Sequence, residues 1–190
     1  MPTVLIPIGF ESGPRYQGGG QHHEVILPGG YAPLPPDVWK VWTVAFADLE
    51  SAASLTLSRD RLIQASTKLG IASAAEHTKA LVDDRLLAEL DTDKPAEFLQ
   101  SHRLFPLADG FGAIENEPGV YQIAREGRIM IRANQPVYAI WCIAAYHRSI
   151  WDAVVAYAEE IEVSPDDVAT NVAQALPMIV ANRCGFLQAS

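Results

Sequence analysis

His22-His23-Glu24 is the densest run of side chains able to hold a metal or move a proton in this 190-residue chain. In an extended segment successive side chains point to opposite faces, so only one of the two imidazoles can join Glu24 on a shared site. The run therefore fits a solvated strand or loop edge better than a metal centre. His77, His102 and His147 lie apart, and none belongs to a nucleophile-bearing or metal-binding motif. Asp83-Asp84 and Glu159-Glu160 are neighbours on predicted helices, which sets their carboxylates about 100° apart instead of converging on one substrate atom. Gly18-Gly19-Gly20 lacks the Lys-Ser or Lys-Thr and the following helix of a phosphate-cradling loop, and reads as a loop tip. Cys142 beside Trp141, and Cys184 near an apolar exit, read as small buried hydrophobes, and two cysteines without a CxxC pair support neither a zinc site nor a disulfide framework. The expectation is no catalytic residue, no metal and no cofactor, hence a protein that is not an enzyme.

Bulk properties narrow the partner. With 49% hydrophobic residues and no long polar tract, the chain has enough apolar material for one large or two small domains. Val4-Leu5-Ile6-Pro7-Ile8 is too short, and lacks the preceding charges, for a signal peptide or a spanning helix, so a cytoplasmic protein with no membrane partner is expected. Fourteen Lys and Arg stand against 23 Asp and Glu, a net charge of -9 that disfavours general coating of nucleic acid.

The elements carrying these residues come twice. Glu24 to Leu90 and Val120 to Leu187 share an order of features: a β-like stretch around a Gly, a Pro, a Trp-bearing helix and two more helices. Pro36-Asp37-Val38-Trp39-Lys40-Val41-Trp42 is echoed by Pro136-Val137-Tyr138-Ala139-Ile140-Trp141. In the first copy, strand-like Thr3 to Phe10 and Glu24 to Leu27 flank a glycine-rich tip, and Pro33 to Pro36 leads into a helix with an apolar face of Val38, Val41, Trp42, Ala45 and Leu49. Leu55 to Leu90, with a short strand at Leu55-Thr56-Leu57 and two helices joined across Gly70 to Ser73, has the form of a winged helix-turn-helix. Asp109-Gly110-Phe111-Gly112 reads as a loop between the copies. In the second copy, Tyr121 to Ala124 and Arg128 to Arg132 form a hairpin turned at Glu126-Gly127. Three helices follow, the last opened by Ser164-Pro165-Asp166-Asp167 and predicted to kink or break near Leu176 because of Pro177. The predicted architecture is a helix-rich α+β fold of tandem winged helix-turn-helix domains, each with a small β-hairpin, divided as residues 1–110 and 111–190.

From about Val120 to Leu187 the order is a small hairpin, a helix with Ile140-Trp141, Ser149-Ile150-Trp151-Asp152-Ala153-Val154, then Val163-Ser164-Pro165-Asp166-Asp167-Val168 and a long apolar helix ending at Cys184-Gly185-Phe186-Leu187. This order resembles the PqqD-like family of winged helices, also called RiPP recognition elements, which hold the leader segment of a precursor peptide for modifying enzymes. Members often carry an acidic-glycine turn between the first two helices, where this chain has Tyr146-His147-Arg148-Ser149. The resemblance implies a non-catalytic protein that binds a peptide, or a protein partner such as a modifying enzyme. The peptide would add as a strand along Arg128, Ile129, Met130, Ile131 and Arg132 and rest against Val168, Asn171 and Val172. Arg128 and Arg132, evenly spaced, would share a face and meet an acidic peptide, or would simply guard an open edge against aggregation. The competing reading is a DNA-binding regulator that presents Lys79 and His77 from a recognition helix at Ser73 to Asp84, with His102-Arg103 on the backbone. Against it, Glu76, Asp83 and Asp84 on that helix would repel phosphates. Edge strands and an apolar Trp-bearing surface leave a homodimer open.

Overall fold

Two strings of elements with the same order and the same pairing make up the chain, as described by a computed structural model covering residues 3–17, 20–47 and 58–190. The first string begins with β1 (Val4–Pro7), followed by an antiparallel meander of β2 (Phe10–Gln17), β3 (Gly20–Leu27) and β4 (Gly30–Leu34). Helices α1 (Pro36–Ala47), α2 (Arg59–Lys68) and α3 (Ala74–Asp83) come next, and β5 (Leu87–Leu90) returns to pair antiparallel with β1. A short helix, α4 (Ala96–Ser101), leads into the second string. There β6 (His102–Pro106) precedes a meander of β7 (Asp109–Ile114), β8 (Glu117–Arg125) and β9 (Arg128–Asn134). Then come α5 (Gln135–Ile143), a single 3-10 turn at Ala144–Tyr146, α6 (Ile150–Glu160), α7 (Pro165–Ala181) and β10 (Gly185–Ala189), which closes antiparallel on β6. The fold is α+β.

This pairing locates the second copy. The expected division after residue 110 falls inside β7, and the partner of β10 begins at His102. The three-residue strand expected at Leu55-Thr56-Leu57, the apolar Leu49, and Gly18 and Gly19 of the glycine tip lie outside the described residues. Asp109 to Gly112, expected as a loop, is strand, and Pro33 belongs to β4 rather than to a helix entry.

One device appears in both copies and explains why each Trp-bearing helix docks where it does. Trp42 Nε1 donates to the Leu86 carbonyl at 3.1 Å, and Trp141 Nε1 donates to the Cys184 carbonyl at 2.9 Å. The same two carbonyls accept the backbone N–H of Ile8 and of Leu107, each at 3.0 Å. Each indole is thus sealed in the core by the residue that precedes its copy's closing strand, and its one polar atom is satisfied there. The chain reaches that residue through the same helix ending. Arg85 and Arg183 take positive φ of 58° and 51°, while Leu86 and Cys184 donate back to Leu81 and Ile179 at 2.8 and 2.9 Å. This six-to-one bond, with a left-handed residue just past the helix, satisfies carbonyls the helix end would otherwise leave open.

The cores are not independent. Along β1 and the residue after it, Leu5 packs into the first copy's core with Trp42, Leu62 and Leu87, whereas Val4, Ile6 and Ile8 pack into the second copy's core with Leu104, Ile140 and Leu176. Strand alternation sends neighbouring side chains to opposite faces, so this two-stranded ribbon is a wall shared by both cores. Ile8 also bridges in parallel to Leu187, and the Gly9 N–H donates to the Leu187 carbonyl at 2.7 Å.

Pro177 does not end the last helix. Helix α7 runs unbroken for 17 residues with Pro177 buried inside it, so the chain does not break there. The missing N–H costs one bond to the Ala173 carbonyl, and burial of Leu176, Ile179 and Val180 around it offsets that loss. Ser164 occupies the N-cap position of α7 without a side-chain cap bond, whereas Ser58 and Ser149 do cap α2 and α6. No helix among the described residues is long and apolar enough to cross a membrane.

Candidate functional site

The open edge of the second meander faces the last helix. Strand β9 pairs with β8 on one side only, since the sheet order is β7-β8-β9. Its turn suits the hairpin expected from the sequence: Glu126 and Gly127 both take positive φ, 53° and 75°, between paired Arg125 and Arg128. Two left-handed central residues are the turn whose twist matches that of the flanking strands.

Between β9 and α7 lies a groove of about 230 Å³. Ile131, Arg132, Ala133 and Asn134 form its strand side, with Val137 at its base, while Asn171, Gln174, Ala175 and Met178 form its helix side. Those four helix positions stand at i, i+3, i+4 and i+7, one face of α7 turned toward the strand. At one end Asn134 Nδ2 donates to Asn171 Oδ1 at 2.8 Å, and Asn134 Oδ1 accepts the Val137 N–H at 3.1 Å, so a single side chain caps α5 and ties β9 to α7. The walls are apolar toward Ile131 and Met178 and amide-lined toward Asn171 and Gln174. A hydrogen-bonding strand edge beside such a surface can take up an extended backbone and seat alternate side chains.

Ile131, Arg132 and Asn171 all line this groove, and Arg128, Ile129 and Met130 are exposed on the strand leading into it. Val168 and Val172 do not reach it. They are 2% and 1% exposed and pack into the core: Val172 lies one position round from Asn171, and Val168 lies a turn before it, at the start of α7 beyond the groove's end. Nor do Arg128 and Arg132 share a face. The β8–β9 register steps from Ile123 opposite Ile131 to Ala124 opposite Ile129, so Met130 is an extra residue. Arg128 and Arg132 consequently stand opposite Arg125 and Gln122, an odd spacing that turns them to opposite sides. Arg132 is ion-paired with Glu117. Gln174 and Met178 carry no sequence expectation, although their spacing from Asn171 puts them on its face.

Several other groups with chemical potential are tied to neighbours. His22 joins Glu24 at 3.2 Å, while His23, on the opposite face, stacks on Trp39 with ring centroids 3.7 Å apart. Arg15 also reaches Glu24 at 3.0 Å, and with His22 holds its carboxyl below the usual range although burial opposes the shift. His102 stacks on Phe98 at 4.1 Å, and burial lowers its pKa. Arg103 donates to the Ala145 carbonyl at 3.1 Å and lies over Phe105, so this pair does not reach outward as a DNA-contacting wing would. Lys79 is ion-paired with Asp83 one helical turn away. Cys142, expected buried, is exposed, whereas Cys184 is buried and its thiol is pushed up to about 11 by burial. No three His, Cys, Asp or Glu side chains gather as a metal site among the described residues. No protein-family model, curated protein or solved structure matches this chain.

Proposed function

We propose that this protein is a non-catalytic peptide-binding protein built of two winged-helix units in tandem, in which the second unit captures an extended segment as a fourth strand on β9 against α7. The mode is that of the PqqD-like domains its second half resembles, and the ligand class is the leader of a precursor peptide destined for modification. The observation that carries this reading is the contrast between equivalent edges. In the first copy Pro33 stands opposite Glu24 on the edge strand β4. A proline has no N–H for the ladder, so its nitrogen must face outward, where it deletes a donor an added strand would use. In the second copy the equivalent position is Arg132, opposite Gln122, and β9 contains no proline from Arg128 to Asn134. Of these two edges only the second offers a full set of donors, and a groove lies beside it.

Selection from a displayed library of random peptides tests this. Peptides retained by the wild-type protein should bind an Arg132→Pro variant about tenfold or more weakly, the cost of at least one outward hydrogen bond left unmade. On binding, the amides of β9 should gain protection from hydrogen exchange. Peptides that bind the folded Arg132→Pro protein as well as wild type, with protection gained elsewhere, would overturn the reading. The DNA-binding alternative is disfavoured by α3 and its C-cap, where Glu76, Asp83 and Asp84 outnumber Lys79, itself ion-paired.

A further inference from the structure

We infer that the seam between the two copies holds a second binding site, for a small aromatic carboxylate. It stands apart from the β9–α7 groove and does not rest on the peptide reading. A cavity of about 230 Å³ opens where the start of β2, the end of α1 and the α7–β10 junction meet. Its floor is fixed by the Gly9 N–H to Leu187 carbonyl bond and by the parallel bridge at Ile8. Size sets one bound on the ligand. Apolar cavities of about 150 Å³ hold benzene, so this one admits a ring bearing a carboxylate but not a large cofactor.

The walls specify the chemistry. Phe10, Trp42, Phe46 and Phe186 line the space, with Phe10 and Phe186 centroids 5.4 Å apart and Trp42 set edge-on to Phe46 at 4.7 Å. Such surfaces favour a flat apolar body. Three ionic side chains also line it: Glu11, Arg125 and Arg183. Glu11 has both oxygens engaged, Oε1 by Trp39 Nε1 at 3.2 Å and Oε2 by Arg183 Nη1 at 3.5 Å, so it does not ask for a cationic ligand. Arg183 is held further by its place over the Phe46 ring, 5.3 Å from its centroid. Arg125 is placed differently. Its ion-pair partner is Glu126 at 3.6 Å, whose side chain is 82% exposed. A surface pair of that kind contributes little and yields readily to a desolvated carboxylate. Two guanidinium groups against one carboxylate leave a net positive lining in a chain whose net charge is -9. The feature also separates the copies. Arg85 has the same helix-ending geometry as Arg183 but is not among the seam residues, and Leu27 precedes the first hairpin turn where Arg125 precedes the second.

Benzoate and its neutral isostere benzamide, titrated into nitrogen-15-labelled full-length protein, test the inference. Benzoate should shift the Gly9 and Gly185 amide signals and the Trp42 indole signal along saturable curves, and benzamide should bind about tenfold or more weakly. Arg125→Gln should weaken benzoate by a similar factor, Leu107→Trp should fill the space and abolish the response, and Arg132→Pro should leave it intact. Equal responses to benzoate and benzamide, no saturable shift at these three signals, or unchanged affinity in the folded Arg125→Gln protein would each overturn the inference. Should Leu107→Trp fail to fold, the Arg125→Gln comparison decides alone.

Discussion

Strands β4 and β9 occupy the same place in the two copies, each the outer strand of a meander and each followed by a Trp-bearing helix, yet they end differently. The first hairpin turns through Pro28-Gly29 and its edge strand carries Pro33; the second turns through Glu126-Gly127 and carries no proline. The interiors behind them share a paired indole bond and a ring stack at matching positions, His23 on Trp39 and Tyr121 on Tyr138. Divergence is thus concentrated at the rim, where a backbone edge is either offered or withdrawn, while what holds each copy together is retained. Shared interior and divided edges make separate, measurable claims.

The largest effect should come from the wall both cores share. Ile6→Ala removes a side chain that is 1% exposed and is expected to cost about 2–5 kcal/mol. Because β1 serves both cores, hydrogen exchange should quicken in both copies; acceleration confined to one would break the picture of a joint interior. Next come Trp42→Phe and Trp141→Phe. Each loses one of two hydrogen bonds to a buried carbonyl and some packing, so chemical denaturation should report losses of about 1–3 kcal/mol, alike in the two copies. Unequal losses would show that the shared geometry has acquired unequal weight. At the edges, Arg132→Pro should weaken a selected peptide about tenfold, whereas Pro33→Ala in the first copy should leave the affinity unchanged. A pH-dependent effect concerns Cys184, which holds the place of Leu86. Burial raises its folded pKa to about 11 from an ordinary 9, so its contribution is complete below pH 9 and lost as pH rises toward 11. Stability should decline across that window by at most about 1.4 kcal/mol per pH unit, and Cys184→Ala should remove this component of the decline.

The repeat was legible because helices advertise themselves locally. Val38, Val41 and Trp42 match Val137, Ile140 and Trp141 at one spacing, and the hairpin at Glu126-Gly127 announces its own turn. Strands β1, β5, β6 and β10 were harder, because each pair joins residues some eighty positions apart and no local pattern states a partner. Punctuation also misled. Gly110 and Gly112 signalled a loop but lie in β7, where a Cβ on Gly110 would come within 2.4 Å of the Tyr138 hydroxyl. At the candidate site the strand was found and its parity was not, since the bulge at Met130 depends on how β9 meets β8. Val168 and Val172 belong to the core although Asn171 lines the groove, because an apolar stripe in sequence does not say which flank, or which turn of the helix, meets a neighbour.

A wall used on both sides also imposes an order of events on synthesis. When the first ninety or so residues have left the ribosome, Val4, Ile6, Ile8 and Leu90 have no covering partner, and they keep that exposure until α5 and α7 have emerged. The nascent first copy therefore carries an uncovered apolar face over the whole interval in which the second is translated. A chain stalled between the copies is a different substance from half of the finished protein.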